Sequence, residues 1–554
     1  MKKEVKTDLD ALIVGAGIAG LFMLYRLRSR GFSARVYEAG GDVGGTWYWN
    51  RYPGARCDTE SIQYSYQFSE ELQQEWEWGE RYASQPEILR YVNHVADRFD
   101  LRRDIVFNTR IASAVFDEEA SHWVVETDGG ERVSAAFCVM ATGCLSTPNF
   151  PAFEGLGSFE GPVYHTGLWP HEKVDFSGKR VGVIGTGSSA MQSIPIIARE
   201  ADEVFVFQRT AHFAVPAHNG PLSEERAREV KANYPQIRAR AKRSATGFDQ
   251  TFGEKEALKV SEEERDREFE KRWAHGGLPF LSAFTDLRYS EEANQMAGEF
   301  VRNKIRSVVK DPKTAELLCP TTVIGCKRLC VITEYFETYN RPNVRLIDVS
   351  GSLIEKITPQ GVMTAGRVYD IDMLILATGF DAMTGTLLRI DIRGRGGRTL
   401  QDKWKEGPRT YLGLMTAGFP NMFTITGPGS PSVLTNMQTS IDHHVEWIGA
   451  CLVYLRENGM KSIEATVEAE DAWVAHNNEE TAKTIRYQCT SWYLGANIPG
   501  KPRVFMPYIA GFDVYSKKCA QIVEAGYEGF HLIRNEEAVP CDSVLASPKG
   551  RETE

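Results

Sequence analysis

Three glycines close to the start of the chain have the spacing of a phosphate-binding turn. Gly15, Gly17 and Gly20 follow a short apolar run and lead into a longer apolar stretch. Glycines at this spacing let the backbone approach a pyrophosphate at the N-terminus of a helix. Glu38 ends the next apolar run, where a carboxylate could accept the hydroxyls of a ribose. The order of these elements, a strand, a glycine turn, a helix, a second strand and then an acid, predicts a dinucleotide-binding unit.

A second turn of the same type lies further along the chain. It follows the apolar run 181–184 and precedes the apolar run 204–207, so the order of elements repeats. Alanine takes the place of the third glycine, which this motif tolerates. The turn residues predicted to hold a nucleotide here are Gly185, Gly187, Ser188, Ser189 and Ala190.

The two units differ at the ribose-binding position. Gln208 corresponds to Glu38, since each lies 23 residues after the first glycine of its turn. Arg209 and Thr210 follow, a cation and a hydroxyl where the 2′-phosphate of NADP would bind. Arg209 could also be a solvated charge at a strand end. Two different nucleotides are indicated, FAD in the first unit and NADPH in the second, as in a flavoprotein that takes hydride from NADPH.

The overall composition excludes several classes of protein. The chain has 554 residues, 42% hydrophobic and 25% charged, which is typical of a globular protein of three or four domains. Its net charge of −10 lacks the basic excess that nucleic acid or an anionic membrane requires, so neither is an expected partner. The longest apolar run, 11–25, is too short to span a membrane. The charged N-terminus favours a cytoplasmic location, and nothing indicates an oligomeric state.

The cysteines and histidines do not indicate a metal site. None of the ten cysteines belongs to a Cys-x-x-Cys pair, and no histidine cluster accompanies them. We therefore expect neither structural zinc nor a disulfide framework. His443 and His444 are adjacent, so on a helix they would point about 100° apart. Their simplest interpretation is a pair on a helix surface.

The middle of the chain differs from the two nucleotide-binding units. From 222 to 310 the sequence is charged and helical, with helix starts predicted at Ser261 and Ser290. Ala-Thr-Gly follows an apolar run at 141–143 and at 377–379, and we interpret both as crossings between the units. We predict an α/β fold of two Rossmann-like dinucleotide-binding domains with a helical insertion. The predicted bounds are 1–145 and 385–540 for the FAD-binding domain, 150–220 and 325–380 for the NADP-binding domain, 221–324 for the insertion and 541–554 for a flexible tail.

Two further motifs carry a family resemblance. The pattern Phe-x-Gly-x-x-x-His-x-x-x-Trp-Pro occupies 159–170, between the two predicted units. A second motif, over 44–58, contains Gly-Gly-x-Trp, Tyr-Pro-Gly and an aspartate. With the stretch 491–500, they resemble the Baeyer–Villiger monooxygenases, which are class B flavin monooxygenases, over 11–515. The loop 427–432 is most similar to the branch of phenylacetone and steroid monooxygenases.

The resemblance implies a reaction and its partners. NADPH would reduce FAD, dioxygen would then give a flavin peroxide, and the peroxide would attack a ketone to form a tetrahedral adduct. Migration of a carbon would yield an ester or lactone, so the implied partners are an apolar ketone and dioxygen, without a metal. This chemistry requires a fixed positive charge in a site that excludes water.

The resemblance also implies roles for individual residues. Arg328 is similar to the catalytic arginine that stabilises peroxide and adduct, and arginine keeps its charge throughout such a cycle. Asp58 is similar to the acid that orients this arginine, and Lys327 to a ligand of the NADP 2′-phosphate. If 327–328 is extended, the two side chains point to opposite faces. Cofactor contacts are further implied for Thr46, Trp47, Trp49, Tyr64, Met437 and Trp492, and a ketone pocket for Ser432, Val433, Leu434 and Met437.

Simpler interpretations and other activities remain open at this point. A Lys-Arg pair is usually solvated, Asp58 could cap a turn, and Trp47 and Trp49 could be core residues. A flavin monooxygenase that oxygenates amines or sulfides would share both glycine turns. A disulfide reductase would need a cysteine pair beside the flavin, and Cys57 has no partner nearby in the sequence. A non-catalytic NADP sensor would have no use for Arg328 with an acid partner.

Overall fold

The computed structural model describes residues 8–534 of the chain. It contains two large sheets with flanking helices, and one of the two glycine turns follows a central strand of each sheet. The predicted α/β fold with two Rossmann-like units and a helical insertion is confirmed. The exact domain bounds stay a prediction, and the predicted tail 541–554 lies outside the described residues.

The first sheet has eight strands. Its central strand, Leu9–Val14, pairs in parallel with Ala34–Tyr37 and Arg132–Met140. Paired strands on both sides and apolar clusters on both faces bury it, which explains its largely apolar sequence. The other strands are Ile105–Val106, Ile111–Asp117, His122–Thr127, Asp391–Arg393 and Met422–Thr424.

The second sheet has five parallel strands. Arg180–Ile184 lies between Glu203–Gln208 and Met373–Leu376, and the second glycine turn follows it. Strand, turn and helix therefore repeat the arrangement of the first unit, as the sequence predicts. Its edge strands are Val344–Asp348 and Val163–His165. Three smaller sheets complete the fold: the first pairs Ala214–Pro216 with Cys330–Ile332, and the second pairs Met460–Ala465 with Phe530–Arg534. The third contains Ile354–Thr358, Gly361–Thr364 and Arg367–Asp370.

Helices begin at both glycine turns and build the insertion. Ile18–Ser29 follows the first turn, and Ser188–Glu200 the second. Ser261 and Ser290 cap two insertion helices, as predicted, because their hydroxyls accept backbone N–H groups at 3.2 Å. The insertion helices are Glu224–Lys242, Glu262–His275, Glu291–Val308 and Pro312–Leu318, and the others are Thr46–Trp49, Glu70–Glu75, Gln85–Arg98, Tyr335–Thr338, Leu400–Lys403, Met437–Glu457, Val467–Ala482 and Phe512–Glu524.

One cysteine pair is bonded, although no spacing in the sequence signals it. Cys326 and Cys489 form a disulfide across 163 residues of chain. The seven free cysteines among the described residues are all buried. Within 8–534 no group of three or more His, Cys, Asp or Glu is arranged to hold a metal ion. No helix in the same part of the chain is long and apolar enough to cross a membrane.

The expectation of a histidine pair on a helix surface is wrong. The helix Met437–Glu457 lies in the interior, and His444 is fully buried. Its Nδ1 accepts the Thr426 N–H at 2.9 Å, and its Nε2 lies 2.9 Å from the Tyr515 hydroxyl. Burial lowers the pKa of His444 well below its usual value and that of His443 to about 4. Both rings are therefore neutral in the folded protein at neutral pH.

The buried, neutral ring of His444 predicts a loss of stability in acid. Below about pH 6.5 an unfolded histidine takes up a proton that the folded one does not, so the free energy of unfolding falls by about 1.4 kcal/mol per pH unit. We expect His444→Asn to be less stable than the wild type at neutral pH but to lose less stability below about pH 6.5. Denaturation midpoints of both proteins, measured at neutral pH and again below about pH 6.5, give this difference in stability. The exposed His531 supplies the control, since His531→Asn should keep the wild-type pH dependence; the same dependence in His444→Asn would contradict the prediction.

Candidate active site

A partly buried ion pair joins two segments that lie 270 residues apart. Arg328 Nε lies 2.5 Å from Asp58 Oδ2, and Nη2 lies 2.9 Å from Oδ1, so the contact is bidentate. The third nitrogen, Nη1, donates to the Val433 carbonyl at 2.6 Å. Burial disfavours the charged guanidinium, but Asp58 beside it raises the pKa of Arg328 above its usual value overall. The site therefore contains one permanently charged and fixed cation.

Backbone geometry separates the two cations of 327–328. Arg328 precedes the strand Cys330–Ile332, which pairs in parallel with Ala214–Pro216. While Arg328 contacts Asp58, Lys327 contacts a different group: its Nζ lies 3.2 Å from His212 Nε2. The two side chains thus reach different surroundings, as an extended pair would.

A cluster of basic groups lies beside the second glycine turn. Burial, and then Lys327 and Arg209, lower the pKa of His212 to about 3. Burial and Arg209 also lower the pKa of Lys327. Within 8–534 no carboxylate lies at ion-pair distance from either cation, so a bound anion would relieve their repulsion. The cluster fits a phosphate group of NADP. His212 is not anticipated by the sequence motifs, and its only signal is its place three residues after Arg209.

The second glycine turn is closely packed and fits a nucleotide. Gly185 has a φ of +118°, and a Cβ there would lie 2.4 Å from the Ala377 carbonyl oxygen, so only glycine is accommodated. Thr186 Oγ1 donates to the Thr210 carbonyl at 2.8 Å, which holds the Arg209 segment against the turn. Gln208 donates to a backbone carbonyl, while its buried Oε1 has no partner among the described residues. Gly187, Ser188, Ser189 and Ala190 continue from the turn into the helix.

The first glycine turn has the same construction. Gly15 has a φ of +104°, and a Cβ there would lie 2.8 Å from the Ala141 carbonyl oxygen. Glu38 is buried, and its carboxylate accepts the N–H groups of Ala16 and Gly40, each at 2.7 Å. The acid is thereby fixed beside the turn that also contains Gly17 and Gly20. This arrangement fits the nucleotide half of FAD.

Aromatic groups follow the first turn. Trp47 Nε1 donates to the Tyr64 hydroxyl at 3.2 Å, and the two rings meet edge to face. Thr46 and Trp49 lie with Trp47 on the short helix Thr46–Trp49, and Trp49 packs against Tyr48.

Across the fold, the buried Nε2 of Gln438, next to Met437, has no partner in the part of the chain that the structure describes. A free donor at a helix N-terminus is what a polar cofactor ring could use.

An apolar cluster adjoins Arg328. Its members relevant to the predicted pocket are Val433, Leu434, Met437 and Trp492, together with Cys144, Met383, Tyr493 and Phe505. The buried Ser432 begins the short turn that carries Val433 and Leu434. The sequence motifs did not point to two further groups close by: the buried Tyr493, and Arg486, whose Nη2 would lie 3.6 Å from a Cβ on Gly325. Burial lowers the pKa of Arg486.

The remaining motif residues have structural surroundings. His165 Nδ1 accepts the Gly167 N–H at 3.0 Å, and its Nε2 lies 3.2 Å from Thr378 Oγ1, so the motif over 159–170 is tied to the crossing at 377–379. Burial lowers the pKa of His165 to about 4, which argues against proton transfer at neutral pH. Cys57 is unpaired, and burial raises the pKa of its thiol to about 12.

Comparison with known proteins gives a consistent result. Residues 12–286 match the family described as "Pyridine nucleotide-disulphide oxidoreductase". A Baeyer–Villiger monooxygenase of Pseudooceanicola batsensis is 44% identical over 540 residues, which are 97% of this chain and 98% of that protein. Phenazine N-monooxygenase PhzNO1 of Lysobacter antibioticus is 43% identical over 533 residues, 95% of this chain and 97% of that protein.

A solved structure agrees with these relatives. The oxidised steroid monooxygenase bound to NADP is 52% identical and superposes with a TM-score of 0.92. The match covers 95% of this chain and 100% of that one. Similarity of this extent, together with the geometry of Asp58 and Arg328, shows that the chain belongs to the Baeyer–Villiger monooxygenase family.

Proposed function

We propose that this protein uses NADPH and dioxygen to oxidise an apolar ketone to an ester or lactone, with FAD and NADP as cofactors. The proposal rests on the partly buried Arg328, which Asp58 and the Val433 carbonyl hold in one orientation. FAD, once reduced by NADPH, would supply the oxidant through its reaction with dioxygen. Oxidation of a ketone places negative charge on the former carbonyl oxygen, and a preoriented cation stabilises that charge.

Each of the surrounding residues has a separate task in this proposal. Asp58 fixes the plane of the guanidinium, so Arg328 does not need to reorient when charge develops. The Val433 carbonyl connects the cation to the loop that would contact the ketone. Leu434, Met437 and the rest of the apolar cluster would exclude water, which strengthens the electrostatic interaction.

We further infer the cofactor-binding residues. For FAD they are Gly15, Gly17, Gly20, Glu38, Thr46, Trp47, Trp49, Asp58, Tyr64 and Met437, and for NADP they are Gly185, Gly187, Ser188, Ser189, Ala190, Arg209, Thr210, Lys327, Arg328 and Trp492. Support comes from the close-packed glycine turns and from the unneutralised charges of Lys327 and Arg209. His212, in contact with Lys327, joins the NADP group. A cytoplasmic location fits the demand for NADPH, which cells regenerate there.

The substrate is proposed to be apolar. The pocket candidates Val433, Leu434 and Met437 belong to an apolar cluster, so an uncharged ketone suits the pocket better than a charged one. One observation favours a second candidate: the relative that is named a phenazine N-monooxygenase is 43% identical. Oxygenation of an aromatic nitrogen would need the same cofactors, and product analysis with a ketone and a phenazine separates the two activities.

Removal of the Arg328 guanidinium tests the central assignment. We expect Arg328→Ala to bind FAD and to accept hydride from NADPH, but to lose ester formation by at least about 100-fold, because one preoriented group at a developing oxyanion contributes that much. Ester yield by gas chromatography and flavin bleaching without oxygen measure the two steps separately.

Arg180 provides the matched control. It forms a similar bidentate pair with Asp372, at 2.8 and 3.2 Å, in the second sheet. Arg180→Ala should therefore lose an ion pair of the same type while ester formation persists. Substantial ester formation by Arg328→Ala would remove the basis of the proposed function.

Arg209 should determine the preference for NADPH over NADH. One charge-assisted contact with the 2′-phosphate contributes roughly 1.5–3 kcal/mol, so we expect Arg209→Ala to lose about 10- to 100-fold of this preference. The ratio of kcat/KM for the two cofactors measures it. Arg345→Ala is the control, because Arg345 is an exposed cation paired with Glu203 on the neighbouring strand. An unchanged ratio in Arg209→Ala would assign recognition to Lys327 alone.

A further inference from the structure

The disulfide Cys326–Cys489 lies at the junction of two site segments. Cys326 directly precedes Lys327 and Arg328, and Cys489 lies three residues before Trp492. The two Cα atoms are 5.7 Å apart, a separation at which a disulfide forms without backbone movement. The bond therefore fastens the segment of the proposed catalytic arginine to the segment of Trp492, which is one of the proposed NADP contacts.

Both sulfur atoms lie in the apolar cluster that adjoins the proposed pocket. Cys326 and Cys489 are buried, and the same cluster contains Val433, Leu434 and Trp492. Cys144 also belongs to this cluster but remains a free thiol. A small neutral oxidant that forms in the site would thus meet one bonded pair and one unpaired cysteine.

Few polar contacts hold the segment that follows Cys489. Lys501 Nζ contacts Asp381 Oδ1 at 2.6 Å and the Ala382 carbonyl at 2.7 Å. Asn497 Nδ2 donates to the Phe380 carbonyl at 2.8 Å. The buried Asn497 Oδ1, like Ser491 Oγ, has no partner among residues 8–534, and each such group costs stability. Because few polar contacts hold this segment, a covalent bond at Cys489 would strongly restrict its movement away from Arg328.

We propose that Cys326 and Cys489 form a reversible redox site: hydrogen peroxide closes the disulfide, and the closed bond slows the release of NADP⁺. The first half concerns the cysteines alone. The second half rests on the proposed function, because it requires Trp492 to cover the nicotinamide end of the bound nucleotide.

The oxidation balances with one peroxide. The thiolate of Cys489 attacks one peroxide oxygen, the O–O bond breaks, and the released hydroxide takes a proton to become water. Cys326 then attacks the sulfur of the resulting sulfenic acid, the S–S bond forms, the S–O bond breaks and a second water leaves. Two thiols lose two electrons, and one hydrogen peroxide is reduced to two waters. An external dithiol reverses the reaction by thiol–disulfide exchange.

The proposed oxidation chemistry would itself supply the hydrogen peroxide that closes the disulfide. Hydrogen peroxide forms whenever reduced flavin and dioxygen react without oxygenating a substrate, and this consumes NADPH without an ester product. A bond that delays NADP⁺ release would slow that wasteful turnover, since the release of a covered product limits many enzymes. Where thiol reductants are present, a disulfide is transient and regulatory, which suits a response that must be reversible.

Thiol counting on the holoenzyme tests the redox site itself. We expect the reduced wild type to lose two reactive thiols per chain when it is treated with hydrogen peroxide, and to regain both with dithiothreitol. Alkylation followed by peptide mass spectrometry should find the link between the peptides of Cys326 and Cys489. Cys144→Ser should behave as the wild type does. No linked peptide in the wild type, or a new link that uses Cys144, would overturn the proposal.

The predicted slowing of NADP⁺ release is tested by measuring the release rate in a stopped-flow instrument, where a competing nucleotide displaces NADP⁺. Oxidised wild type should release NADP⁺ at least about fivefold more slowly than the reduced form, a modest coupling. Cys489→Ser should release it at one rate in both conditions, and Cys326→Ser is the second variant if the first does not fold. A redox effect that persists in these variants, or equal rates for both wild-type forms, would refute the coupling. Because thiol counting needs no ketone, its result stands apart from any failure of the proposed oxidation.

Discussion

The architecture depends on keeping one partly buried guanidinium both charged and fixed in place. The Arg328 side chain is largely withdrawn from solvent, with 22% of it exposed, and a cation in such surroundings without a partner would be destabilising. Its partner Asp58 belongs to the first unit, so the two units must adopt one relative placement. The motif before Asp58 helps to fix this placement: the Tyr52 hydroxyl donates to Gln192 Oε1 at 2.8 Å, and a Cβ on Gly54 would lie 2.3 Å from the Gln192 carbonyl oxygen. A motif that looks like a simple turn is therefore a contact surface for the second nucleotide-binding helix.

The same constraint explains why two neighbouring cations behave differently. Asp58 raises the pKa of Arg328 overall, whereas burial and Arg209 lower the pKa of Lys327. Arg328 thus needs no ligand to remain charged, whereas Lys327 has no carboxylate at ion-pair distance within residues 8–534, and a bound anion would stabilise its charge. A phosphate at Lys327 would complete the electrostatics of the nucleotide site without altering the charge at Arg328. In the proposed function, Lys327 would bind the phosphate of the nucleotide, while the adjacent Arg328 would stabilise the developing oxyanion.

The features that residue spacing predicts are those whose chemistry is local. Both glycine turns, their strands and the helix starts at Ser261 and Ser290 follow from residue spacing, and the structure confirms these elements. The pairing of Asp58 with Arg328 across 270 residues followed only from the family resemblance. Residue spacing gave no sign of two other long-range contacts, the Val433 carbonyl on Arg328 and the disulfide across 163 residues at Cys326, because tertiary packing sets their register. The surface interpretation of His444 failed for a related reason. Adjacent positions on a helix fix only the angle between two side chains, not which faces other elements cover.

His444 in turn connects to the site through the loop that carries Val433. Thr426 and Ser432 are buried non-glycine residues with φ of +55° and +43°, a conformation that costs about 1–3 kcal/mol each unless surrounding contacts enforce it. Those contacts are present, because the Thr426 N–H donates to His444 and Ser432 Oγ donates to the Thr426 carbonyl at 3.2 Å. The left-handed residue at Ser432 directs the next carbonyl, that of Val433, onto Arg328. A neutral, buried imidazole on one side and a charged guanidinium on the other thus hold the loop that would shape the ketone pocket. The strain in this loop is offset by buried hydrogen bonds at both of its ends.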